Sequence, residues 1–243
     1  MSYQNIKSLS LFVLFLFAGC FFSDTNIVTA AEGVAFDAEV VADTDGDGYD
    51  DIAEIKNGYS PYNSKPIKIE KSDVDGDGLN DYLEIKFKTN PLVSDTDGDG
   101  HSDFEELDNA YNPISSTTTK MSQKIEITLK NQKLIYYVGG QKWREFIVST
   151  GKPSMPTPLG DFKITNKSKK AWSKTYGLWM PFWLGLNRGG IGIHELPVWP
   201  NGYREGENHL GKAVSHGCIR LGVGSAQYLF DRVSVGTQVS IIK

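Results

Sequence analysis

Residues 213–221 read A-V-S-H-G-C-I-R-L, with a cysteine two positions after a histidine and two before an arginine. A thiol with an ordinary pKa of about 8.5 is mostly protonated at neutral pH, so a nucleophilic cysteine needs a base or a cation beside it. His216 is near Cys218 in sequence, but residues two apart share a side only on a regular strand, and Gly217 interrupts regularity here. A second histidine, His194 in G-I-G-I-H-E-L, stands upstream. A cysteine, a histidine distant in sequence and a group that orients its ring are the parts of an activated thiol nucleophile. His194, His209 and His216 together with Cys218 could instead bind zinc, but the paired C-x-x-C signature of such sites is missing. His209, in E-G-E-N-H-L-G, reads as a loop residue.

A second chemistry occupies the first half of the chain. D-T-D-G-D-G-Y-D-D-I-A-E from Asp43, D-V-D-G-D-G-L-N-D-Y-L-E from Asp73 and D-T-D-G-D-G-H-S-D-F-E-E from Asp95 repeat one pattern. Each has Asp at positions 1, 3, 5 and 9, Gly at 6 and Glu at 12, the oxygen-ligand spacing of a calcium loop. The candidate ligands are Asp43, Asp45, Asp47, Asp51 and Glu54; Asp73, Asp75, Asp77, Asp81 and Glu84; and Asp95, Asp97, Asp99, Asp103 and Glu106. His101 holds position 7, where the backbone carbonyl binds, so its side chain is incidental. Prolines in S-K-P-I-K-I-E-K-S and F-K-T-N-P-L-V-S argue against the helix that a full EF-hand places before its loop. The run from about 40 to 112 instead resembles thrombospondin type 3 calcium repeats, in which a short helix and a T-N-P-type turn follow each loop. K-T-N-P at 88–91 fits that turn.

Both chemistries have to be positioned by 243 residues, 40% of them hydrophobic and 12% aromatic, enough for one good core and a smaller second unit. The apolar run from Leu9 to Phe22 is too short to span a bilayer comfortably and reads as a signal-peptide core, with residues 1–30 as the signal segment. L-F-A-G-C, ending at Cys20, resembles a lipobox that would give a lipid anchor, while Val28 and Ala30 suit cleavage before Ala31. On either route Cys218 is the one thiol left, which points to a reactive group rather than a disulfide framework. The expected location is extracytoplasmic, in the periplasm or cell envelope.

Charge divides the chain. Residues 122–243 hold 17 Lys or Arg against 7 Asp or Glu, net +10; with −5 overall, the first 121 residues carry −15. Opposite halves suggest two domains, 40–112 and 122–243, with N-P-I-S-S-T-T-T-K at 112–120 opening a linker over 113–121. The second domain is expected to be mainly β, a compact sandwich or barrel-like fold with a minor helix. I-E-I-T-L, L-I-Y-Y-V, W-R-E-F-I-V-S-T-G, D-F-K-I-T and T-Q-V-S-I-I read as strands, a G-G turn joins the second and third, and 225–233 reads as the helix. Trp172, Tyr176, Trp179, Trp183, Trp199 and Tyr203 fall between the motifs, as core or as groove wall. Nothing resembles a nucleotide fold, and no nucleic-acid partner is expected.

T-P-L-G-D-F at 157–162, I-H-E-L at 193–196 and S-H-G-C-I-R at 215–220 stand in one order. With these motifs, residues 123–243 resemble the catalytic domain of the L,D-transpeptidases of bacterial cell-wall synthesis. The resemblance implies that Cys218 is the nucleophile and His194 its base and acid. It also implies that the main-chain carbonyl of Glu195 orients the ring, that His216 lines the site, and that amides around Gly217 and Cys218 bind the oxyanion. Arg220, whose guanidinium suits a carboxylate, and Ser215 are candidate substrate contacts. The implied substrates are peptidoglycan stem peptides, donor and acceptor, joined through a thioester on Cys218 with release of D-alanine. No cofactor is expected for catalysis, and calcium is expected to be structural. A carboxypeptidase or amidase using the same thiol, or a calcium-dependent wall-binding scaffold, is the alternative. Without an ion the clustered carboxylates would repel one another. Chelation of calcium is therefore expected to remove the ordered circular dichroism signal of residues 40–112, and an unchanged spectrum would count against this reading.

Overall fold

A computed structural model describes residues 42–187 and 189–243, which lie within one compact unit. The signal segment and Cys20 lie outside the described residues. Among the described residues no helix is long and apolar enough to cross a membrane.

Eight strands make the barrel: β1 Gln123–Thr128, β2 Lys133–Val138, β3 Gln141–Ser149, β4 Gly160–Ser173, β5 Leu178–Leu186, β6 Gly192–Glu195, β7 Ile219–Leu221 and β8 Gln238–Ile242. Alternation sets their faces: Ile125 and Ile127 on β1, and Leu134, Tyr136 and Val138 on β2, are fully buried while their neighbours are not. Gly139 and Gly140 join β2 to β3 with φ of 56° and 82°, a turn that glycine makes without strain. The sheet closes in the order β1-β2-β3-β7-β6-β5-β4-β8, with β8 parallel to β1 and β6 parallel to β7. The barrel expected from the sequence is present, and its minor helix, α4 at Ser225–Arg232, packs Ala226, Leu229 and Phe230 inward against β5, β6 and β7.

The acidic half forms three loops, each followed by a short helix as the thrombospondin resemblance implies: α1 Asp51–Asn57, α2 Asp81–Phe87 and α3 Asp103–Asp108. Position 8 of each loop caps its helix, the side chains of Asp50, Asn80 and Ser102 accepting from the amides of Ala53, Leu83 and Glu105.

The run expected to be a linker, 113–121, is folded. Tyr111 bridges Lys120, whose ammonium sits 3.6 Å from the Tyr111 ring centroid and donates to the Asn109 carbonyl at 2.6 Å. Met121 N–H then donates to Ala110 O at 2.9 Å. Behind this turn the repeats share a core with the barrel. Leu79, Phe87, Leu107 and Ala110 belong to one buried cluster with Val138 and Trp143. The Trp143 ring lies 5.9 Å from Phe87 and 5.8 Å from Phe104.

Asp108, at the end of α3, fastens the contact. It accepts from Trp143 Nε1 at 3.2 Å, Tyr228 OH at 2.5 Å and Arg144 Nη2 at 3.1 Å, and it pairs with Arg232. Burial alone would raise its carboxyl pKa, but the hydrogen bonds from Tyr228 and Arg232, with the Arg232 charge, hold it below the usual carboxylate value. Replacing Asp108 by Ala leaves these donors and both guanidinium groups without their acceptor. The expected cost is roughly 2–3 kcal/mol in urea unfolding of the whole chain. A cost near zero would mean that the repeats hang free of the barrel.

Candidate active site and calcium loops

The parallel pair β6 and β7 builds the site. Ile193 stands opposite Ile219, His194 opposite Arg220 and Glu195 opposite Leu221, and Cys218 immediately precedes β7. The half-buried thiol reaches Gly190 O at 3.5 Å. Gly192 has to be glycine, because a Cβ there would lie 2.6 Å from the Trp183 ring and 2.7 Å from Leu184 O. The space so left lets the Trp183 ring stack on His194, centroids 5.9 Å apart and planes 27° apart.

His194 is 2% exposed and its Nδ1 lies 2.6 Å from the Glu195 carbonyl oxygen. A carbonyl only accepts, so the proton sits on Nδ1 and the basic lone pair on Nε2. Burial drives the imidazole down to about 4; the bond to Glu195 opposes this and the Arg220 charge reinforces it. Burial also pushes the Cys218 thiol above its ordinary value, against the Gly192 amide and the Arg220 charge. Both groups are therefore neutral at rest.

The turn that carries the thiol is held from several sides. Ser215, expected to contact substrate, is fully buried: its hydroxyl donates to Cys218 O at 2.6 Å and accepts from Gly217 N–H at 3.1 Å. Its side chain shapes the turn. Gly217, whose φ of 109° suits glycine, thus has its amide engaged by Ser215. Thr157, the first residue of T-P-L-G-D-F, accepts from Gly151 N–H at 2.8 Å and donates to Gly217 O at 2.9 Å. The motif marked that position in the sequence, but only the fold gives its role.

A groove of about 1190 Å³ opens over these residues, with His194, Cys218 and Arg220 among its lining. Trp172 and Tyr176 of the β4–β5 hairpin wall one part, and Trp199 and Tyr203 of the 196–218 connection wall another. His216 is exposed in the groove and stacks on Tyr176 at 4.5 Å and 19°. Arg220 is 5% exposed; its Nη1 pairs with Glu205 Oε1 at 3.0 Å, and its buried Nε has no partner. His209 lies 3.7 Å from Glu205 and is not part of the groove lining. Cys218 and its histidines do not gather as metal ligands among the described residues.

The groups that do gather are Asp43, Asp45 and Asp47; Asp73, Asp75 and Asp77; and Asp95, Asp97 and Asp99, with ligand oxygens within 4.8 Å of one another. Buried oxygens without a partner converge on the same loops: Oδ2 of Asp45, Asp75 and Asp97, and oxygens of Glu54, Glu84 and Glu106. Burial and the neighbouring aspartates raise the carboxyls of Glu54 and Asp75, the latter to about 6, and of Glu84 and Glu106, to about 8 and about 7. A buried anionic oxygen set of this kind fits a hard divalent cation. Position 9 is different. Asp51 and Asp103 each accept from both the amide and the hydroxyl of the position-2 threonine, Thr44 and Thr96, and Asp81 accepts from Val74 N–H and the Ser60 hydroxyl. These three carboxylates, expected as ligands, brace the loop from within.

A thiol and a buried histidine held by a backbone carbonyl thus line one groove of a β-barrel. Residues 122–241 match the L,D-transpeptidase catalytic domain and residues 73–94 the bacterial TSP3 repeat, and the C-terminal half of the chain belongs to the L,D-transpeptidase catalytic-domain family. L,D-transpeptidase 1 of Mycobacterium tuberculosis is 31% identical over 117 residues, covering 42% of this chain and 43% of that protein. The putative L,D-transpeptidase YkuD of Bacillus licheniformis is 30% identical over 118 residues, 49% of this chain and 64% of its own length. The chain thus spans less than two thirds of either relative. Solved structures of LdtMt1 in complex with imipenem (23% identity, TM-score 0.46, 51% of this chain and 60% of that one) and of an L,D-transpeptidase from Stackebrandtia nassauensis (25%, 0.43, 51% and 57%) are also similar.

Because burial raises the thiol and depresses the imidazole, alkylation of Cys218 by iodoacetamide is expected to keep rising with pH beyond 9, without a step near 6.5. The folded state disfavours the imidazolium, so the His194 contribution to stability is full above about 6.5 and falls away as pH drops toward 4. A step in alkylation at histidine pH would mean a thiolate–imidazolium pair at rest.

Proposed function

We propose that this protein is an exported L,D-transpeptidase that acts on peptidoglycan stem peptides in cell-wall biogenesis and maintenance of cell shape. The observation that carries the reading is the 2.6 Å contact between His194 Nδ1 and Glu195 O on a strand paired with the one that Cys218 precedes, inside an open groove. That contact presents Nε2 as the base.

Cys218 Sγ attacks the carbonyl of the third residue of a tetrapeptide stem while its proton passes to His194 Nε2. The Cys218 amide takes the developing oxyanion charge. Collapse breaks the bond to the terminal D-alanine, whose amine takes the proton back from Nε2, and leaves a thioester on Cys218. The side-chain amine of a second stem then attacks the thioester, its proton passes through His194 to the departing sulfur, and a 3→3 cross-link results. Water in place of that amine gives carboxypeptidase action.

Arg220, with its free Nε, is the candidate contact for a stem carboxylate, and His216 with Tyr176 flanks the peptide path. Calcium in the three loops would be held by the position 1, 3 and 5 aspartates and the position 12 glutamates. When bound it supplies the counter-charge that lets these buried carboxylates remain ionised. Export by residues 1–30, with or without acylation of Cys20, places the enzyme outside the cytoplasm, facing the wall.

Incubation with a disaccharide tetrapeptide, followed by intact-protein mass spectrometry, is expected to show an adduct of the tripeptide fragment that vanishes in Cys218→Ala. His194→Ala is expected to slow its formation roughly a hundredfold or more. Folded protein whose thiol alkylates normally but takes no adduct would turn the reading toward a wall-binding scaffold.

A further inference from the structure

The connection between β6 and β7 carries two charged residues for which the proposed chemistry has no use. Residues 197–205 of it form a small hairpin: Trp199 N–H donates to Tyr203 O, and Glu205 N–H to Pro197 O, each at 2.8 Å. Val198 exchanges hydrogen bonds with Trp179 of β5, at 2.8 and 2.9 Å, which fixes one side of it. The other side ends in the adjacent pair Arg204 and Glu205. Arg204 Nη1 pairs with Glu195 Oε1, and Glu205 Oε1 accepts from Arg220 Nη1 at 3.0 Å. Glu195 is on β6 and Arg220 on β7, one step apart across the parallel pair.

The Glu195 side chain is 4% exposed, and its second oxygen accepts from Gly224 N–H, just ahead of α4, at 3.1 Å. A buried carboxylate with both oxygens engaged has one orientation. The main chain of this same residue supplies the carbonyl that holds His194 Nδ1. Fixing the side chain at one end of the residue therefore fixes the carbonyl at the other.

We propose that Arg204 and Glu205 form a crossed clasp over β6 and β7, and that Arg204 and the Glu195 carboxylate are positioning residues for His194. This inference rests on the reading of His194 as the base. Arg204 touches no reacting group; it acts through Glu195. Glu205 holds the neighbouring strand through Arg220, so the dipeptide sets the spacing of histidine and thiol and seats the Trp199–Tyr203 wall in one step.

Two readouts test it: the 15N resonances of the His194 ring, which need no peptidoglycan, and the rate at which Cys218 takes the acyl adduct from a disaccharide tetrapeptide, in wild type, R204M, R204K, E195Q and the E195Q/R204M double variant of the full chain. R204M and E195Q are expected to lose the protected Nδ1–H signature and to slow adduct formation tenfold to a hundredfold, the scale set by small misplacements of reacting groups. Their thermal midpoints should stay close to wild type, the double variant should be no slower than either single one, and R204K should recover part of the rate. Wild-type ring signals in R204M, or single effects that simply multiply in the double variant, would overturn the clasp. If R204M does not fold, R204K and E195Q decide in the same way. Should His194→Ala form the adduct at the wild-type rate, the base assignment itself fails, while the ring signals of R204M still report on the clasp.

Discussion

The parallel pairing of β6 with β7 is the constraint on which the site depends. Parallel neighbours cannot be joined by a tight turn, so the chain has to leave the end of β6, travel and return to start β7 on the same side. Residues 196–218 make that journey and carry one wall of the groove, with Trp199 and Tyr203, then Arg204 and Glu205, then the turn ending at Cys218. Pairing in register puts His194 beside Arg220, and the thiol precedes Arg220 by two residues. Topology thus brings together two residues that are 24 apart in sequence, His194 and Cys218.

The same burial that organises the pair also sets its charge state. His194 sits against Trp183 with almost no solvent and is hard to protonate; Cys218, pushed up by burial, is hard to ionise. Arg220 stabilises a thiolate and opposes an imidazolium at once, so its charge favours moving the proton away from both groups rather than storing it on the ring. In such a site the proton leaves sulfur when a substrate carbonyl takes up the charge. A thiol that stays neutral until then is shielded from the oxidants to which an exposed thiolate would be open.

Local signals made much of this legible. The alternation of apolar residues gave β1 and β2, the periodicity near 225 gave α4, and aspartate spacing gave the three loops. The motifs S-H-G-C and I-H-E-L marked the pair and even the carbonyl of Glu195. What escaped was set by partners distant in sequence. Ser215 lines the groove, but nothing in the sequence shows that its hydroxyl also closes its own turn, nor that Thr44, Ser60, Val74 and Thr96 lie against Asp51, Asp81 and Asp103. Asp108 shows nothing in sequence at all, because Tyr228 and Arg232 lie more than a hundred residues away.

The run at 113–121 has a precedent within the chain. Tyr59 bridges Lys68, with the ammonium over the ring and Ile69 N–H bonded to Gly58 O, as Tyr111 bridges Lys120 with Met121 N–H bonded to Ala110 O. Gly58 and Ala110 are both left-handed, at φ of 76° and 58°. Repeat 1 thus leads into repeat 2 by the same bridged turn through which repeat 3 leads into the barrel. The barrel occupies the place of a fourth repeat, and Trp143 and α4 offer the third repeat the apolar and basic face that a neighbour would. A module docked in this way is not a passive spacer. The loop that ends at Glu106 and the helix that ends at Asp108 are two residues apart, so whatever holds the carboxylates of the third loop in place also holds the anchor of α4, whose far end begins beside Glu195.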